Sequence, residues 1–117
     1  MSDKISLLLK RFAVAAVAHH EALEAMDEDR ANAHARMITG LYKALLREGE
    51  AGQDGLLTLT ESAVPVVAGM AAVYLMPLYP DRCLTVLRKV AAEPGLLGFR
   101  AGVAVERWET GDWTPLA

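Results

Sequence analysis

The chain has 117 residues, 53% of them apolar, with 12 basic against 15 acidic side chains and a formal charge of -3. That size and composition suit one domain with its own hydrophobic core, and the acidic balance excludes the basic footprint of a phosphate-backbone binder, so nucleic acid is not an expected partner. The single cysteine, Cys83, excludes an internal disulfide framework and points to a reducing compartment, the cytoplasm.

The first predicted element runs from about Asp3 to Met26. Ile5, Leu9, Phe12, Ala16, His19, Leu23 and Met26 alternate in steps of four and three, the mark of an amphipathic helix with a packing seam. Lys10-Arg11 followed by FAVAAVA imitates an export leader, but the apolar run is short and alanine-rich and the helical pattern continues through it, so none is expected. Asp27-Glu28-Asp29 breaks the pattern, supplies an N-cap and places negative charge at the positive end of the next helix. That second helix carries Ala31, Ala35, Ile38, Leu41, Tyr42, Leu45 and Leu46 and stops at Gly49. So short a connection predicts an antiparallel hairpin over residues 3–48.

Residues 50–55, with Gly52 and Gly55, read as a turn before a brief helix of Leu56, Leu57 and Leu59 capped by Asp54. The stretch from Ser62 to Pro80 contains no charged side chain, although charged residues form 23% of the chain. Pro65 is suited to open a helix there, and Pro77 and Pro80 to stop it. The helical part then covers about a dozen residues, roughly 18 Å, too short for a membrane span. A buried helix is expected, with Val67, Tyr74 and Leu78 as a strip left for a second chain, including a second copy in a homodimer. Asp81 is expected to cap a helix with Cys83, Leu84, Val86, Leu87, Val90 and Ala91 inward. After the breaker Glu93-Pro94-Gly95, a last helix turns Phe99, Ala101, Ala104, Val105 and Trp108 inward and ends at Gly111, leaving a tail over 112–117.

No segment alternates with the period of two that strands require, so the fold class is all-α with about six helices. Asp54, Leu57 and Thr58 align with Asp81, Leu84 and Thr85, and Met70-Ala71 and Leu75 align with Val103-Ala104 and Trp108. Residues 54–111 therefore read as two HEAT-like helix pairs behind the hairpin, although the aspartate-turn and arginine signature of such repeats is missing at Val66-Val67.

The helix Leu8-Leu9-Lys10-Arg11-Phe12, the Gly55-Leu56-Leu57 turn, the run from Pro65 to Ala72, and the ending Val105-Glu106-Arg107-Trp108 before Gly111 follow one another in a telling order. That order resembles the bacterial family named domain of unknown function 2019. The resemblance covers nearly the whole chain, implies a helical HEAT-like fold and carries no catalytic residue across.

Candidate chemistry is sparse. His19, His20 and His34, with Glu24 one turn after His20, match a zinc or iron site in composition if the hairpin brings them together. No HExxH motif is present, and a seam histidine is more often a hydrogen-bonded packing residue. Cys83 falls in the first turn of a helix, where the dipole lowers a thiol pKa, but no histidine follows His34 to act as its base. Ser6 and Ser62 lack a GxSxG context, no glycine run cradles a phosphate, and Glu106 and Glu109 read as a solvated helix face. Trp113 either folds back onto the last helices or stands as an anchor for a partner. These features favour a non-catalytic, cofactor-free adaptor, in a special case an immunity-type or regulatory partner. The competing expectation is a metal-binding helical enzyme or sensor built on the three histidines.

Overall fold

The computed structural model describes residues 2–113. Six helices and no strand are present among them: α1 (Asp3–Glu24), α2 (Glu28–Arg47), α3 (Glu50–Leu59), α4 (Pro65–Leu75), α5 (Pro80–Ala91) and α6 (Gly95–Thr110). The all-α class is therefore as the sequence indicates. The chain divides into two compact units, one through Leu59 and one from Thr60. This boundary groups α3 with α1 and α2, on which it packs, whereas the repeat alignment groups it with α4.

In the first unit, Ser2 Oγ accepts the Ile5 N–H at 3.2 Å and so caps α1. The seam is buried at Ile5, Leu9, Phe12, Ala16 and His19, with Ala15 and Ala22 beside it. Met26 departs from that stripe. It lies beyond the helix end, 91% exposed, in left-handed backbone at φ 56°. The Met26 N–H bonds the Leu23 carbonyl (3.0 Å) and the Asp27 N–H bonds that of Ala22 (2.9 Å). These are the two bonds of a Schellman motif, with methionine where glycine is usual.

Asp27 at once caps α2, its carboxylate accepting the Arg30 N–H at 3.1 Å. One aspartate thus closes one helix and opens the next. Lys4 Nζ stands 3.1 Å from Glu48 Oε2, placing the start of α1 beside the end of α2 and confirming an antiparallel hairpin. Ala31, Ala35, Ile38 and Leu45 form the buried stripe of α2.

The expected turn over 50–55 is instead helical. Gly49, at φ 73°, ends α2, and its carbonyl accepts from Gly52 and Gln53, so α3 begins at once. Gly52 and Gly55 serve proximity rather than turning. A Cβ on Gly52 would overlap the Leu45 carbonyl oxygen, and one on Gly55 would sit 2.6 Å from Leu9 Cδ1. Asp54 is accordingly inside α3 rather than at its cap, and its carbonyl accepts the Thr58 hydroxyl at 3.0 Å.

In the second unit, Pro65 opens α4, and no residue from Pro65 through Met76 is exposed. Burial of most of the helix, with Val66, Met70 and Val73 half-buried on one face, explains why the stretch carries no charge. The helix ends at Leu75, whose carbonyl accepts the Leu78 and Tyr79 N–H groups, both at 2.9 Å. Pro80 then begins α5 instead of stopping its predecessor, because a fixed φ and a missing N–H suit the first helical position. The N-cap is consequently Tyr79, not Asp81, whose carbonyl accepts the Thr85 hydroxyl at 3.1 Å. Thr58 and Thr85 make the same bond to aligned aspartates.

α5 buries Cys83, Leu87 and Val90. Gly95, at φ 74°, leads into α6, and a Cβ on Gly98 would overlap the Glu93 carbonyl oxygen. Gly49-x-x-Gly52 and Gly95-x-x-Gly98 are thus one device used twice: a left-handed glycine reverses the chain, and a second lets the new helix touch backbone it has just left. With Gly98 and Ala101 buried, Phe99 is carried away from the core and is 70% exposed, contrary to the inward expectation. Gly111, at φ 79°, ends α6 through bonds from Gly111 N–H to the Trp108 carbonyl (3.2 Å) and from Asp112 N–H to that of Arg107 (2.8 Å). Among the described residues, no helix is long and apolar enough to cross a membrane.

Candidate functional site

A concavity lies in the second unit, between α5 and the link that precedes α4. Two side-chain contacts shape the link. Glu61 Oε1 accepts from Arg82 Nη2 at 3.1 Å, tying it to α5, and Ser62 Oγ accepts the Val64 N–H at 3.1 Å. Val64 enters α4 in extended backbone (φ -93°, ψ 108°) and offers no side-chain cap.

The resulting groove has a volume of about 490 Å³. Ala63, Pro65 and Ala68 line one side, and Val86 and Val90 the other. Thr60, Ser62 and Thr85 add hydroxyls, while Glu61, Lys89 and Glu93 supply charge. Lys89 and Glu93 have no ion-pair partner among the described residues, whereas Glu61 pairs with Arg82. Neither N–H nor C=O of Ala63 has a hydrogen-bond partner among the described residues. An apolar floor, charges of both signs and open main-chain groups therefore meet in one place.

The strip proposed from sequence does not form. Val67 and Tyr74 are 5% and 4% exposed, because they lie on the buried faces of α4, whose half-buried face is instead Val66, Met70 and Val73; of the three, Leu78 alone is exposed. Trp113 folds back: its ring meets that of Trp108 edge-on, centroids 5.6 Å apart at 84°, and its Nε1 is buried.

Of the histidines, His19 is buried, His34 is half-buried, and His20 Nε2 stands 3.3 Å from Glu24 Oε1. No group of three or more His, Cys, Asp or Glu side chains that could hold a metal occurs among the described residues. Cys83 is fully buried, and burial pushes its thiol up to about 11 against the opposing pull of the Arg82 charge. Desolvation thus outweighs the helix-start effect expected of this position. Glu106 and Glu109 are exposed, Glu109 lying 3.8 Å from Arg88.

Sequence reasoning missed the groove. Its signal is a second stripe on α5, Thr85, Val86, Lys89 and Val90 continuing to Glu93, beside the core stripe Cys83, Leu87 and Val90. Compared with family models, with curated proteins and with solved structures, this all-helical chain finds no match.

Proposed function

We propose that the chain is a non-catalytic protein-binding module of the bacterial cytoplasm, acting as an adaptor or as a regulatory or immunity-type partner. The observation that carries this reading is the groove of the second unit, whose apolar floor and charged rim have the make-up of a small protein-recognition site. HEAT-like stacking of the helix pairs, as the resemblance to domain of unknown function 2019 implies, belongs to the same proposal and would supply a recognition surface. A buried, unpaired Cys83 suits a reducing compartment.

The test is co-purification of the tagged chain from its source cell, followed by reconstitution with the purified partner and elemental analysis of the same preparation. A complex that re-forms at fixed stoichiometry supports the module. Stoichiometric zinc, iron or manganese, lost in His19→Ala and His34→Ala variants and accompanied by no reconstituted complex, would sink it in favour of a metal-dependent helical protein.

A further inference from the structure

We infer that the groove of the second unit takes an extended peptide segment of the partner protein, seating one apolar side chain on its floor and an acidic residue beside Lys89. The inference rests on the protein-binding reading and adds the chemistry of the occupant. Three features select a peptide. Val86, Val90 and Ala68 give an apolar seat in a volume suited to a few side chains rather than a whole helix. Ala63, exposed at the lip next to extended Val64, has an N–H and C=O with no partner among the described residues, and a passing main chain would pair with them. An acyl chain would make no use of those groups.

Charge then sets the direction. With Glu61 bound to Arg82, the groove charges without an ion-pair partner among the described residues are Lys89 and, four residues further along and beyond the end of α5, Glu93. The rim thus reads positive and then negative, and its complement is a segment with an acidic residue on the Lys89 side and a basic or neutral one on the Glu93 side. A polyanion would meet Glu93 unopposed.

The full-length chain, immobilised, is used to select from random heptapeptides displayed on phage, and the enriched sequence is then measured as a synthetic peptide. The expected result is a consensus of an apolar residue flanked by an acidic one. Lys89→Glu should weaken that peptide at least about tenfold, and selection on this variant should exchange the acidic preference for a basic one. Val86→Asp should abolish binding. Because Lys89 is exposed, its substitution spares the fold and decides the matter even if the Val86 variant does not fold.

Enriched peptides that bind wild type and Lys89→Glu equally would overturn the groove assignment and leave the protein-binding reading intact. So would enrichment of nothing above the bare surface. A dimeric mass that Lys89→Glu returns to monomer would show a second copy in the groove and overturn the peptide inference. Failure of the protein-binding reading itself is scored separately, by reconstitution and metal content.

Discussion

Gly52 lies against the carbonyl oxygen of Leu45, with no room between them for a Cβ. That contact fixes the angle at which α3 leaves α2, since the carbonyl belongs to the backbone of the preceding helix and has no rotamer by which to yield. Gly52→Ala should therefore destabilise the first unit by about 2–3 kcal/mol, the usual cost of overpacking. Gly40, on the exposed face of α2, has nothing within 4 Å of a Cβ. There alanine should stabilise by about 0.5–1 kcal/mol, by restricting the unfolded chain and favouring helix. Urea unfolding of the two variants should give shifts of opposite sign. A Gly52→Ala variant as stable as wild type, or more so, would remove close approach as the role of Gly52.

Met26 invites a change in the reverse direction. A non-glycine residue at φ 56° bears the left-handed penalty, and at 91% exposure its side chain buries little in return. Met26→Gly should raise stability by about 0.5–1 kcal/mol, the relief of backbone strain being partly offset by a more flexible unfolded chain. Thermal unfolding followed by circular dichroism would register it. A loss of stability would mean that the methionine side chain contributes to the hairpin.

How far the sequence disclosed this molecule is best judged at its glycines and prolines. The long stripes of α1 and α2 were legible because a helix that buries one face must repeat its apolar residues. The charge-free α4 was legible because a helix buried over most of its surface leaves little room for charge. Gly52 and Gly55 misled because a close-approach glycine and a turn glycine are the same letter, and the distinction lies in what stands opposite, Leu45 and Leu9, residues distant in the chain. Pro80 misled likewise, since proline can follow one helix and begin another. The groove was hidden because its walls come from separate segments, 60–68 and 85–93, neither unusual alone.

Phe99 and Leu87 test the rotation of the last two helices. Both are large and apolar, yet Phe99 is 70% exposed and Leu87 1%. Phe99→Lys should change stability by no more than about 0.5 kcal/mol, whereas Leu87→Ala should cost about 2–4 kcal/mol through lost burial and the cavity left behind. If Phe99→Lys proved as damaging as Leu87→Ala in denaturant unfolding, the described face of α6 would be wrong.

Cys83 links burial to pH. Its thiol is raised from 9.0 to about 11 because the charged form would lie in the core. Between those values the unfolded chain gives up the proton while the folded chain keeps it. The contribution to stability is therefore complete below pH 9.0 and is lost as pH rises toward 11, a change of no more than about 3 kcal/mol. Other groups titrate in this range, so the measurement is the difference between wild type and Cys83→Ala in denaturant unfolding at successive pH values. Removing the thiol should cost stability through its cavity at pH 8, and that deficit should shrink steadily toward pH 11. A thiol-reactive dye should label Cys83 slowly in the native chain and quickly after denaturant is added. Parallel stability curves, or rapid labelling of the native protein at pH 8, would place the thiol at the surface and contradict the packing of α5.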